Sequence, residues 1–400
     1  MVIVRWGLVV VVSFLVLAPL ARASAPLPTR LAHALAVPGS RPASSAAIAV
    51  DLASGRPVFE RNADSALAPA SNEKLLVTYA ALVSLGVGYR FRTEVLSQGY
   101  QEGTTWHGNV YLKGFGDPTL TSLELKRLAA QLKTAGILRI DGRVVGDESW
   151  FDTRRIAPGW KSSFFLFESP PLSALVVDHG VYGNHLSLQP ALAAAGRFKQ
   201  LLRARGIPAG RASVGRAPDD AYALAQVESA ALPEVLQEMD RDSDNLTAEL
   251  MLKQLGAEVG GAGTTGAGAA VVLRDLAAAG VPLTGVRVAD GSGLSLEDRL
   301  TARTLASLLL AVWNDVDLRH AFWQALPVAG ENGTLEDRMN RAPARGVVRA
   351  KTGTTNRASA LSGYVGERYA FVIIQNGFPV FAWAARKAQD RFATALASVL

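Results

Sequence analysis

The stretch 70-ASNEKLLVTYAALVSLG-86 sets a lysine at the mouth of an almost wholly apolar helix. A cation drawn into a core needs a polar partner. Ser71 and Lys74 stand at i and i+3, so on a helix they share a face at its first turn. An ordinary account exists: serine suits an N-cap, Pro69 and Glu73 suit a helix start, and a lysine can snorkel to water. Count and order take the pair out of the ordinary. Of the nine lysines only Lys74 has a serine three positions before it; Ser243-Asp244-Asn245 is the only S-x-N, and Lys351-Thr352-Gly353 the only K-[ST]-G. A fold that uses these motifs together has to bring residues near 71, 243 and 351 to one cleft.

The residue types suit acyl transfer. A serine hydroxyl is a poor nucleophile at neutral pH and needs a base within hydrogen-bond reach. A lysine amine serves when burial or a second cation disfavours its charged form. The apolar residues Leu75, Leu76, Val77, Ala80, Ala81 and Leu82 supply the burial, and Lys351 can supply the second cation. Ser243 is expected to relay a proton to the leaving nitrogen, and Asn245 to hydrogen-bond a substrate amide. Lys351 on a strand edge can pair with a carboxylate, Thr352 adds a hydroxyl, and Gly353 lets a substrate backbone approach. The amides of Ser71 and Thr354 are the natural oxyanion hole.

The ordered set S-x-x-K, S-x-N, K-T-G is the signature of active-site-serine penicillin-interacting enzymes. The chain resembles the class C low-molecular-mass penicillin-binding proteins, the D-alanyl-D-alanine carboxypeptidase/endopeptidase family. Further similar stretches are 115-FGDPTLT-121, 140-IDG-142, 171-PLSAL-175, 290-DGSGLS-295, 326-LPVAG-330 and 333-GTL-335, so the likeness covers nearly the whole mature chain. It implies peptidoglycan peptides as substrates, acylation of Ser71 by a D-Ala-D-Ala or cross-bridge peptide followed by hydrolysis, β-lactams as covalent inhibitors, and no cofactor or metal. It also implies an α/β (α+β) penicillin-binding/β-lactamase-like catalytic domain with an inserted smaller α/β domain. There are departures. The chain passes from Leu186-Ser187-Leu188 almost directly to a helix at 195–205, where the family has a second nested insert. Ser295 is followed by Leu296-Glu297-Asp298 in place of a basic residue, and Asp147-Glu148 is the acidic pair before Phe151-Asp152.

Organisation follows from composition and pattern. With 400 residues, 49% hydrophobic and 19% charged, the chain can build sizeable cores. Residues 1–23 read as a signal peptide, with an apolar run at 8–20 and Ala21-Arg22-Ala23 at the cleavage site, which implies a periplasmic protein. Its removal deletes Arg5 and Arg22 and lowers the formal charge from +6 to +4, with no basic run, so nucleic acid is not implied. Without cysteine there are no disulfides, thiolate nucleophiles or Cys-ligated metals. Strands at 46–50 and 57–59 and at 347–350, 360–365 and 369–374 are expected to share one antiparallel sheet, closed by a helix over 382–400. A split peptidase domain over 24–90 and 227–400 is thus expected around an insert at 91–226. Within it, 228–310 reads as mostly helical, with a Gly/Ala/Thr connector at 260–268.

Rival functions are weaker. A serine β-lactamase needs a deacylating glutamate some tens of residues after S-x-N, and only Glu258, beside the connector, stands near. Gly261 to Gly266 fits G-x-G-x-x-G but follows a helical segment rather than a strand. His179 and His185 have no metal-ligand spacing, and G-x-S-x-G is absent. The non-enzyme alternative is a degenerate peptidoglycan-binding homologue, against which stand all the reacting positions.

Overall fold

The computed structural model describes residues 1–3, 25–38, 44–182 and 185–400. Apart from Met1 to Ile3, the signal peptide read at 1–23 lies outside the described residues. Five antiparallel strands run in the order Val348–Thr354, Ala358–Val365, Tyr369–Asn376, Ser45–Asp51, Pro57–Arg61. The two ends of the chain therefore meet in one sheet, as the hairpin and the C-terminal segments predict. Tyr369–Asn376 reads as an unbroken apolar run because both its faces are covered. Ala370, Val372 and Ile374 enter one core, while Phe371 and Ile373 enter another beneath the Ala382–Ala397 and Leu27–Ala34 helices.

The first of those cores belongs to the helical side. The Lys74–Ser84 helix buries Leu75, Leu76, Val77, Ala80 and Ala81 against the sheet and against the helices Leu232–Asp242, Asn245–Glu258, Thr265–Ala278 and Ala302–Asn314. Burying Leu75, Leu76 and Val77 contributes roughly 1.5–3 kcal/mol each.

A second five-stranded sheet lies between, in the order Ala212–Val214, Val144–Asp147, Val110–Gly114, Arg92–Ser97, Tyr222–Glu228. It mixes parallel and antiparallel pairs, and the Ser122–Thr134 and Pro190–Ala204 helices close its core. The stretch 150–176 is tied to the helical side instead. Phe151, Trp160, Leu172 and Val176 pack on Leu246, Leu250 and Leu294, and buried Lys253 pairs with Asp152.

The segment 260–268 is not the loose connector that its composition suggests. Thr264 caps the Thr265–Ala278 helix by accepting a hydrogen bond from the Ala267 amide. A Cβ on Gly268 would lie 1.8 Å from Leu252 O, and one on Gly263 would lie 2.2 Å from Trp150 O. Gly263 and Gly268 serve backbone contact. Composition could not register the difference, because the neighbours that demand a missing side chain are distant in sequence.

Candidate active site

The turn that carries Ser71 is a 3-10 segment, Ala70–Glu73, that leads into the Lys74–Ser84 helix. Ser71 makes no capping bond, so the N-cap account of it does not apply. Ala70 stands at φ +49°, in the left-handed region, and a Cβ on Gly293 would lie 1.9 Å from Ala70 O. Backbone held in that region costs on the order of 1–3 kcal/mol and persists where the surroundings over-determine it. Here the 290–295 loop presses on one side and the Val348–Thr354 strand on the other. A Cβ on Gly353 would meet Ser71 N at 3.0 Å, so glycine is what lets the edge strand reach the turn. Asn72 locks the contact: its Nδ2 donates to Lys351 O at 2.9 Å, and its Oδ1 accepts from Ser362 Oγ.

Lys74 is fully buried, and its Nζ lies 3.2 Å from Ser71 Oγ, 2.8 Å from Asn245 Oδ1 and 2.8 Å from Ser292 O. All three partners are neutral. Burial holds the ammonium below the ordinary lysine range, against the field of Asp290, Asp244, Asp240 and Glu249. Lys351, also fully buried, donates to Ser243 Oγ at 2.8 Å and to Thr352 O at 3.1 Å. Burial and then the neighbouring Lys74 charge push Lys351 down to about 7.

The S-x-N motif is a hinge between two helices. Ser243 ends Leu232–Asp242 in the left-handed conformation at φ 59°. Asp244 then caps Asn245–Glu258 by accepting from the Thr247 amide at 2.6 Å. Asn245 is thereby aimed at Lys74, while its Nδ2 donates to Glu168 O at 2.9 Å. Ser71, Ser243, Asn245, Thr352 and Thr354 line one cleft of about 530 Å³ with Leu294, Thr334, Arg338 and Arg386. All three motifs thus converge; Lys74, Lys351 and Gly353 form the floor beneath the lining. Glu258 is not in that wall; its Oε1 accepts from Tyr89 OH at 3.0 Å.

Sequence reasoning missed the support behind the lysine. Glu73, Glu249, Asp298 and Asp240 are buried there, and both oxygens of Glu73 lack a hydrogen-bond partner within the described residues. Burial pushes Glu249 up to about 8 and Asp240 up to about 6, and raises Glu73 and Asp298 well above the carboxylate range. Glu249 Oε1 accepts from the Gly291 and Ser292 amides, which fixes the loop whose Ser292 carbonyl holds Lys74. Asp290 accepts from the Gly293 and Ser295 amides and from Trp160 Nε1 at 2.8 Å. The family-like stretch 290–295 was the only sign of this loop. Thr334, whose hydroxyl lies 2.8 Å from that of Thr352, stood in the family-like stretch 333-GTL-335 with no role attached, and Arg386 had no sign at all.

A family model, D-Ala-D-Ala carboxypeptidase 3 (S13), matches residues 27–189 and 184–399. The chain belongs to this family. Within the S13 family, a D-alanyl-D-alanine carboxypeptidase of Actinomadura is 32% identical over 85% of this chain and 79% of its own length. Penicillin binding protein 4 of Haemophilus influenzae has the same fold, at TM-score 0.81 and 24% identity over 93% of this chain and 98% of its own. That protein is also known in complex with a β-lactam. A predatory endopeptidase of Bdellovibrio bacteriovorus, acylated by penicillin G, aligns at TM-score 0.55 and 16% identity over 88% of this chain and 91% of its own. The S13 chain is therefore a class C low-molecular-mass penicillin-binding protein with an α/β penicillin-binding fold. The two matched stretches meet at 184–189, where the chain runs directly into the Pro190–Ala204 helix.

Proposed function

We propose that the chain is a serine-type D-Ala-D-Ala carboxypeptidase that also opens peptide cross-links, through an acyl-enzyme on Ser71. The observation that carries this is a fully buried Lys74 amine 3.2 Å from Ser71 Oγ, hydrogen-bonded among the described residues only to neutral groups. In this reading Ser71 Oγ attacks the carbonyl of the penultimate D-Ala as Lys74 takes its proton. The oxyanion forms against the amides of Ser71 and Thr354. Ser243, held by Lys351, passes a proton to the nitrogen, the C–N bond breaks, and water then hydrolyses the ester. Asn245 orients the acyl side, and Lys351, Thr352, Gly353 and Thr354 shape the place of the leaving carboxylate. β-Lactams enter the same first step and remain as esters.

The same reading places the mature protein in the periplasm, exported by a signal peptide at 1–23. The peptidase unit spans 24–90 and 227–400 and the insert 91–226; in support, the second sheet opens at Arg92 and closes at Glu228. No helix among the described residues is long and apolar enough to cross a membrane.

Intact-protein mass spectrometry with benzylpenicillin, on the wild type and Ser71→Ala, tests this together with D-Ala release from a pentapeptide muropeptide. We expect a penicilloyl adduct that Ser71→Ala abolishes, and D-Ala release by the wild type only. Penicillin hydrolysis without an adduct would make the protein a β-lactamase; neither adduct nor turnover would make it a degenerate binding homologue.

A further inference from the structure

The cleft continues past Thr354. Arg386, exposed in the first turns of the Ala382–Ala397 helix, lines both the cleft and a second groove of about 830 Å³ that runs along that helix. Arg30, Trp383, Lys387 and Arg391 line the groove with it. Arg30 is engaged with Ala395 O and Ser398 Oγ, but among the described residues no carboxylate pairs with Arg386, Lys387 or Arg391. Arg386 only grazes Thr354 Oγ1 at 3.4 Å, and Lys387 lies 4.6 Å from the centre of the Trp383 ring. The one acid among the described residues of the wall, Asp390, is already held by Arg338 at 2.6 Å.

We infer that this groove binds the leaving strand of a cross-linked peptide, an acidic peptide whose free carboxylates Arg386, Lys387 and Arg391 receive. The inference rests on the reading of Ser71 as the acylated nucleophile. In that orientation the leaving amine faces Ser243 and its carboxylate reaches the Thr352 and Thr354 hydroxyls. A free D-Ala ends there. An amine that belongs to a second stem peptide has to continue out of the cleft past the same carboxylate, and the groove joined through Arg386 is a continuation of complementary charge. Chemistry is unchanged: the same C–N bond breaks and the same proton reaches the nitrogen. Lys74 and Lys351 are buried and engaged with protein oxygens and Arg338 is paired with Asp390, which leaves Arg386 as the exposed cation an emerging carboxylate meets in a wall that also carries Glu168, Glu336 and Asp337. Phe378, Phe381 and Trp383, exposed at 71%, 55% and 70%, stand at the groove's end of the helix. Aromatic and basic residues together would also suit an anionic bilayer. The cations here line a concavity open to the cleft, which favours a peptide.

The test compares the mature wild type with Lys387→Glu/Arg391→Glu on a monomeric disaccharide pentapeptide and on its cross-linked dimer. For the loss of two charged contacts we expect kcat/KM on the dimer to fall about tenfold or more, with D-Ala release and penicillin acylation held within about twofold. Lys387→Arg/Arg391→Lys should restore dimer cleavage. A parallel fall on both substrates, no fall on either, or a wild type that releases D-Ala but leaves the dimer intact would overturn the inference. So would loss of binding to phosphatidylglycerol vesicles with dimer cleavage unchanged, which would make the face a membrane contact. Failure of the underlying reading has its own signature, a wild type neither acylated by penicillin nor active on the monomer, and the groove assignment falls with it.

Discussion

Burial disfavours the charged form of both lysine amines, and the Lys74 charge adds to the effect on Lys351. The pair titrates as a unit, and with Lys351 down to about 7 its proton is lost near neutrality. In the proposed reading acylation needs a neutral Lys74, and burial lowers that amine, so the second-order rate constant for penicillin should rise with pH across a stopped-flow series from about pH 5 to 9. A flat profile would remove lysine deprotonation from the rate. Asn72 is the other residue whose effect is readable at this scale. Asn72→Ala strands the Lys351 carbonyl and the Ser362 hydroxyl in a dry interior, so chemical denaturation should report a loss of about 2–3 kcal/mol, with acylation slowed because strand and nucleophile turn drift apart.

Elements meet here through absent side chains and through caps. Gly268 sits against the Leu252 carbonyl, so Gly268→Ala forces the Asn245–Glu258 and Thr265–Ala278 helices apart and should cost roughly 1–3 kcal/mol despite alanine's better helix propensity. A stability gain, the result that propensity alone predicts, would mean that the helices adjust freely. Asp244→Ala removes an N-cap worth about 1 kcal/mol. Because that cap sets the first turn on which Asn245 rides, penicillin acylation should fall more than the melting temperature implies. A drop in melting temperature with acylation unchanged would separate the cap from the site.

Across the whole molecule, the buried carboxylates make stability depend on pH. Glu249 has its folded value raised from 4.5 to about 8, so between those limits the folded state binds more protons than the unfolded one. Its contribution is complete below about 4.5 and is lost as pH rises towards 8. Asp240, raised to about 6, acts in the same sense over a narrower window. Lys351 acts oppositely: lowered to about 7, it favours the folded state as pH rises from about 7 through the ordinary lysine value of 10.5. Melting temperatures of Glu249→Gln and wild type should therefore agree near pH 4.5 and separate towards pH 8, with the variant the more stable. Coincident curves over that range would mean that the carboxylate is not held protonated.

Much of this was written in the sequence, and the remainder has a physical explanation. The ordered S-x-x-K, S-x-N and K-T-G set, the apolar run after Lys74 and the apolar terminal strands are local patterns, and local patterns can be read in one dimension. They led to the family, the sheet shared by the two chain ends, and the residues that line or floor the cleft. The carboxylates behind Lys74, the positive φ of Ala70, the fit of Gly263 and Gly268, and the route from Thr354 to Arg386 are set by neighbours tens to hundreds of positions away. Desolvation, steric contact and through-space charge depend on distance in space, so only the tertiary structure decided them.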